Sequence, residues 1–387
     1  MSKVQSRQIV KDLHRGPWSA DFGPWTLDLG LKFIRAAALV LPVLLLLAAV
    51  SDRPALAWGD WGHLEVADEA VQRLPEPLHG LLADEGALRR LKAASLEPDR
   101  RVEELRKAKS PELARERVKH YFDIDGITSE PFPFAHFPRD RRAAEKEFGK
   151  KPFEEHGTAP WVIEDAEAAL VDALRRGATE EIFKWAGEVS HFGADLHMPF
   201  HCTKNYNGKL TGNTGIHKML EIGLLVRHKD FYAAEIRKGR APVPYVEDAE
   251  GRLFDWLIVA NSRAAPILEA DTAARLKTGY TPPEKVEEAD KELDDVNSAR
   301  AKPYYAAFKS ELESRGQPEA AALRDAADHV AQLFYTAWVR AGKPAGLTAP
   351  PTAAAAAAPP TIAYWWLVVP TVVLILLSLF RRRPVKG

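Results

Sequence analysis

Ser190–Glu221 reads SHFGADLHMPFHCTKNYNGKLTGNTGIHKMLE and holds four of the chain's twelve histidines. His191 and Asp195 are four residues apart, and so are His217 and Glu221. On a helix, residues at i and i+4 lie one above the other on the same face. Each pair is therefore a two-point claw for a cation. His201 sits between the claws, just past Met198-Pro199. Proline disfavours helix for the residue before it, so the chain is expected to turn there. Two helical claws joined by a histidine-bearing turn point to a site for more than one metal ion.

Working outward, the periodicity is helical nearly throughout, and alternating runs rich in Val, Ile and Thr are almost absent. Helices are expected over 63–82 until Pro75 and Pro77, and over 160–174, 179–196, 216–228, 253–268, 283–314 and 318–341. Pro160 suits a first helical turn, and Glu180 and Glu181 suit the start of the 179–196 helix. The fold class is all-α, a multi-helix domain with long loops at 126–160 and 202–215. Loops of that length are functional or disordered.

The chain has 387 residues, 46% hydrophobic and 28% charged, with a formal net charge of −1. That balance suits a globular body, and no basic excess advertises nucleic acid, although a local groove could still be basic. Cys202 is the one cysteine, so intrachain disulfides are excluded. Residues 36–50 are uncharged and apolar, and Ala55-Leu56-Ala57 has the small-x-small pattern of a signal-peptidase site. Residues 1–57 are thus expected to be a signal peptide with a long polar lead, cut after Ala57. An uncleaved amino-terminal helix is the alternative. Residues 362–380 carry no charge, begin near Tyr364-Trp365-Trp366 and end at Arg381-Arg382-Arg383. This pattern predicts a transmembrane helix with a basic cytoplasmic tail at 381–387. An Ala/Pro-rich linker over 343–361 would tether the body, 58–342, on the outer side of the cytoplasmic membrane.

Further ligand types are spread through that body: His63, Asp99 (with Glu97 as an alternative) and His120. Together with His191, Asp195, His201, His217 and Glu221 they make eight side chains. Imidazole and carboxylate donors suit zinc or another borderline divalent ion, and eight exceed one zinc's four, so two or three ions are implied.

In order, the chain presents Trp58, His63, Asp99, His120 in HYFD, His191-x3-Asp195, His201 in MPFH, and His217-x3-Glu221. This set resembles the superfamily of zinc-dependent phospholipases C and single-strand-specific zinc nucleases, over Trp58 to about Ala341. The resemblance implies an all-helical phosphodiesterase with a trinuclear zinc cleft. It implies that Asp99, His120, His191 and Asp195 hold one zinc, and that His201, His217 and Glu221 hold a second. The third would take the free amino group and carbonyl of Trp58, His63, and a shared oxygen of Asp195. Asp99 and Asp195 would then be catalytic, with Asp99 assisting the attacking water. Met198 departs from the family's usual Gln. Glu221 is the phospholipase-like choice, whereas the Trp58–His63 start, WGDWGH, is nuclease-like. The expected function is phospholipase C-like hydrolysis. A single-strand-specific nuclease is the alternative, and a non-catalytic zinc-binding surface protein is a third reading. Phospholipid or single-stranded nucleic acid is the expected substrate.

Other residues carry milder expectations. His197 is expected at the helix surface or supporting a ligand, and His136 and His156 are expected to be exposed in the long loop. Asp123 would orient His120 or cap a turn, and Asn205 and Asn213 suit turns. Cys202 suits a buried small residue, and Arg139–Arg142 a solvated face. Trp161 or Tyr206 could stack on a base.

Overall fold

The computed structural model describes residues 59–344. The expected signal peptide, Trp58, the linker beyond Pro344, the expected span at 362–380 and the basic tail lie outside the described residues. Among the described residues, no helix is long and apolar enough to cross a membrane.

The described body is all-α, with no strand beyond one antiparallel bridge between Phe122 and Gly157. Helix α1 (Gly59–Arg73) has Asp60 in its first turn and Arg73 in its last, complementing the helix dipole. It stops before Pro75 and Pro77, and α2 (Leu78–Leu82) follows. The Asp84 carboxylate caps α3 (Glu85–Ala94) by accepting from the Gly86 and Ala87 amides. Pro98 sits in the first turn of α4 (Glu97–Lys107). Short helices α5 (Leu113–Arg117) and α6 (Ile124–Ile127) come next.

The stretch 126–160, expected as a loop, contains two helices: α7 (Arg141–Phe148) and α8 (Lys151–His156). Asp140 caps α7 through the Ala143 amide, and only Ala144 and Phe153 of the two are buried. Their sparse apolar positions give almost no periodic signal.

Helices α9 (Ala159–Arg176) and α10 (Thr179–Asp195) form a hairpin around Gly177, which adopts the left-handed conformation. After α10 come single turns at Pro199–His201 and Lys209–Thr211. The segment expected as one helix over 216–228 changes pitch. It runs as α11 (Ile216–Lys218), a π-helical stretch (Met219–Leu224) and α12 (Leu225–Arg227). Next come α13 (Lys229–Ile236), α14 (Ala249–Ser262) and α15 (Ala264–Thr278).

The expected 253–268 helix is thus two helices divided at Arg263. Pro266 cannot donate to the Ser262 carbonyl, so the ladder is interrupted there. The expected 283–314 helix also divides, into α16 (Val286–Asp294) and α17 (Lys302–Ser314). Between them the Asp295 carboxylate accepts from the Asn297 amide and stabilises a turn instead. The longest helix, α18 (Pro318–Arg340), closes the body.

Helix α10 is the hub. It packs on α9, α3, α1 and α18. Ile182, Phe183, Ala186, Val189, Phe192 and Ala194 are all buried along it. Fully burying one such aliphatic or aromatic side chain contributes about 1.5–3 kcal/mol, so the last turn of α10 is held firmly inside the body. Helices α15 and α17 pair beside the 202–215 loop, with Tyr304, Tyr305 and Phe308 buried between them and their neighbours.

Candidate metal centre

The last turn of α10 presents His191 and Asp195, both wholly buried. Gly187, one turn earlier, lets α10 reach the end of α3. A Cβ there would lie 2.6 Å from the Ala94 carbonyl carbon. Because of this approach, the Ser95 carbonyl lies 2.8 Å from His191 Nδ1. That carbonyl accepts the Nδ1 proton, which leaves Nε2 with a free lone pair facing inward.

Four other elements converge on this turn. Asp99, in the first turn of α4, brings Oδ1 to 3.8 Å from both His191 Nε2 and His120 Nδ1. His120 Nδ1 lies 3.0 Å from Asp195 Oδ2 and 3.1 Å from His191 Nε2. The strand-like segment after His120 is fixed from two sides, because the Phe122 amide donates to the His201 carbonyl and the Asp123 amide to the His156 carbonyl. Gly157 permits that pairing. Its φ is +98°, and a Cβ there would meet the Tyr121 carbonyl oxygen at 1.9 Å. His63, on α1, stacks on His191 at 4.0 Å between ring centroids, with Nε2 at 3.5 Å from Asp195 Oδ1.

His201 ends the Pro199–His201 turn, with Nδ1 at 3.5 Å from Asp195 Oδ1. Its Nε2 lies 3.0 Å from His217 Nε2 and 3.2 Å from Glu221 Oε1. His217 Nε2 lies at the same 3.2 Å from that oxygen. The π-helical stretch that interrupts this helix contains Glu221, and such distortions concentrate at functional sites.

All eight side chains read from the sequence thus meet in one buried cluster. They fall into three groups whose donor atoms lie within 4.8 Å of one another and that could each hold a metal ion: His63/His191/Asp195, Asp99/His120/His191, and His201/His217/Glu221. Asp195 touches all three, with Oδ2 toward His120 and His191 and Oδ1 toward His63 and His201. Glu97 does not compete with Asp99, because it pairs with Arg100 at the surface. Trp58 lies outside the described residues.

The electrostatics are those of acids and imidazoles forced together. Burial drives His191 and His201 down, but Asp195 beside each, with Asp99 or Glu221, overrides it and both end at about 9. Burial should raise Asp195 and Glu221, yet the surrounding histidines hold both below the usual carboxylate range. Burial keeps His63 neutral and pushes Asp99 up. Several buried atoms have no hydrogen-bond partner: both His63 nitrogens, Asp99 Oδ2, His120 Nε2, Asp195 Oδ1, His201 Nδ1 and Glu221 Oε1. Orphaned buried polar atoms are costly unless something binds them. Nitrogen and carboxylate donors in this number fit divalent cations of the zinc type.

Several expectations for neighbouring residues need correction. Trp161 is 2% exposed and packs among Phe122, Phe153 and Phe254, its Nε1 donating to the Arg139 carbonyl, so it cannot stack on a substrate. His197 is not at the helix surface. It is buried, accepting at Nε2 from His329 Nδ1 at 2.6 Å, while its own Nδ1 donates to Gly193 O. His329 carries no signal of this pairing in the sequence, because a single histidine on a long helix does not reveal its partner. His156 is partly covered, with Nδ1 at 3.6 Å from Asp123 Oδ2. Asp123 starts α6 without making a side-chain cap, and burial and Asp125 raise it to about 8. Asn213 does start a turn, its carbonyl accepting from the Ile216 amide, and its side chain is buried, donating to the Leu268 carbonyl, Asp271 and Thr272. Arg139 is tied to Asp255 and the Gly251 carbonyl. As expected, His136 is exposed and Cys202 is buried, its single S–H shared between the Leu196 and Met198 carbonyls.

The cluster meets solvent at one end. His217 is the most exposed of the eight, at 21% of its side chain. Tyr206 stands beside it, with ring centroids 6.3 Å apart and half of the residue exposed.

No protein-family model matches the chain, and no curated protein matches it significantly.

Proposed function

We propose that the body is a zinc-dependent phosphodiester hydrolase of the phospholipase C type, exported and held at the outer face of the cytoplasmic membrane. The observation that carries this reading is the convergence of eight imidazole and carboxylate side chains on Asp195, with orphaned buried donor atoms in all three groups. A structural zinc site needs four ligands and closes on itself. Three adjoining groups, open to solvent at His217, suit a substrate that binds several charges at once.

The His201/His217/Glu221 group would hold one zinc, Asp99, His120, His191 and Asp195 a second, and His63 with Asp195 a third. The amine and carbonyl of Trp58 would complete the third set once the chain is cut after Ala57. Zinc bound there supplies Lewis acidity that polarises phosphoryl oxygens and neutralises the charge that grows as the ester bond breaks. The protein's own part is orientation and proton handling. Ser95 fixes the His191 tautomer, and Asp195 sets the spacing between groups. Asp99 Oδ2, buried and unpaired, accepts the proton of the attacking water.

The test combines elemental analysis with turnover of phosphatidylcholine, single-stranded DNA and bis-p-nitrophenyl phosphate. Zinc-dependent hydrolysis of the lipid and the chromogenic ester is expected, and none on any substrate would leave a metal-binding protein without this activity. A nuclease is the second reading. Tyr206 favours it, because a half-exposed ring beside His217 could stack on a base.

A further inference from the structure

The loop between His201 and His217 is braced from within. The Asn205 side chain accepts from the Leu210 amide and donates to Thr211 Oγ1, and the Gly208 carbonyl accepts from the Asn213 amide. Asp125 ties the loop's start, accepting from Thr203 Oγ1 and the Lys204 amide. Asn213 ties its end to Asp271. Such a loop has the means to turn its apolar residues inward, yet Leu210 is 68% exposed and Tyr206 is 50% exposed. Lys204, two residues before Tyr206, and Lys209, next to Leu210, are exposed, and among the described residues neither ammonium pairs with a carboxylate. A fixed leucine and tyrosine flanked by two unpaired cations, beside the solvent-facing ligand, match the boundary of an anionic bilayer. There apolar tips enter the acyl region and ammonium groups meet phosphates. Leu210 separates this from a nucleic-acid surface, because an aliphatic side chain cannot stack on a base.

We propose that residues 203–212 form a membrane-docking loop, with Leu210 and Tyr206 inserting into an anionic lipid surface and Lys204 and Lys209 holding its headgroups. Docking there would bring the His217 end of the cluster against the lipid. Only the consequence for turnover rests on the phosphodiesterase reading.

Cys202 is buried, so Thr214→Cys in the full chain, at an exposed position at the end of the same loop, gives one accessible thiol for an environment-sensitive fluorophore and leaves the contact between Asn205 and Thr211 intact. A blue shift on phosphatidylcholine vesicles containing phosphatidylglycerol, weaker on phosphatidylcholine alone, is expected. The label reports on the loop itself, so attachment of the chain elsewhere leaves it unshifted. No shift on anionic vesicles, or a shift with single-stranded DNA instead, overturns the proposal. Lys204→Gln with Lys209→Gln should weaken the vesicle response roughly fivefold per lysine, and Leu210→Glu should abolish it. If lipid is a substrate, these variants lose vesicle hydrolysis and keep hydrolysis of bis-p-nitrophenyl phosphate, which also reports that they fold. A parallel loss on both substrates overturns the docking role. Absence of all turnover in the parent chain defeats the phosphodiesterase reading, while the fluorophore still decides the loop.

Discussion

Two groups of buried histidines flank the same helix end, and they differ in the company they keep. His191 sits among Asp99, Asp195 and other imidazoles, and is pushed up to about 9. His197, six residues on, sits against His329 and Trp256, and burial pulls it down to about 4. Trp256 stacks on His329 at 4.0 Å, and the nearby Asp325 is already paired with Arg263. In this second group His197 uses both nitrogens in hydrogen bonds inside the protein. In the first, seven buried atoms stay unpaired. Burial of imidazole alone makes a closed core pair. Burial together with carboxylates makes a place for positive charge, which protons on His191 and His201 supply in the metal-free protein and which divalent cations could supply instead.

Asp195→Ala should break the first group outright. It removes the one side chain that touches all three sets, so bound metal measured by elemental analysis should fall, affinity should drop by more than about 100-fold, and turnover should vanish. Retention of full metal content and activity would remove Asp195 from the centre. His329→Ala should act on the second group alone. It leaves His197 Nε2 buried without a donor and strips a stacked ring from Trp256, at a cost of about 2–3 kcal/mol. Thermal unfolding should shift down by several degrees with metal content unchanged. A loss of metal in that variant would show that the two groups are one unit.

The same contrast reads out as pH dependence in chelator-treated protein. His191 and His201 are raised from 6.5 to about 9, so their contribution is complete below about 6.5 and lost as pH rises toward 9. His197 is lowered from 6.5 to about 4, so its contribution is present above 6.5 and lost as pH falls toward 4. Metal-free protein should therefore be less stable on both sides of about 6.5. Added zinc should restore the alkaline side, because metal replaces the protons on those rings. Melting curves across this range, with and without zinc, test it. An alkaline side as stable without zinc as with it would contradict the assigned cluster.

The first group was largely legible in the sequence and the second was not. Fixed spacing reveals His191/Asp195 and His217/Glu221, since i, i+4 is a geometric statement on any helix. Ordered motifs add His63, Asp99, His120 and His201. The pairing of His197 with His329 spans 132 residues and follows no local rule. The fold shows the same division. The long apolar helices α9, α10 and α18 are plain from their periodicity, whereas α7 and α8 are too polar to show. The break at Arg263 depends on where Pro266 falls in the hydrogen-bond ladder. The π-helical stretch at Met219–Leu224 left no trace, because its residues also fit a regular helix.

Cys202 offers the finest test of what separates a ligand from a neighbour. It adjoins His201 and is a zinc-type donor by chemistry, yet burial raises its thiol well above the ordinary range. Its sulfur donates to the Leu196 and Met198 carbonyls, which keeps the proton in place and turns the group away from the cluster. A ligand thiol must give that proton up. Cys202→Ala removes one buried sulfur and the weak hydrogen bond its S–H shares between two carbonyls, a change of about 1 kcal/mol. Metal stoichiometry and turnover should match the parent, with a melting temperature lower by roughly 2–4 °C. Loss of a metal equivalent in this variant would place sulfur among the ligands and redraw the boundary between the two kinds of buried group.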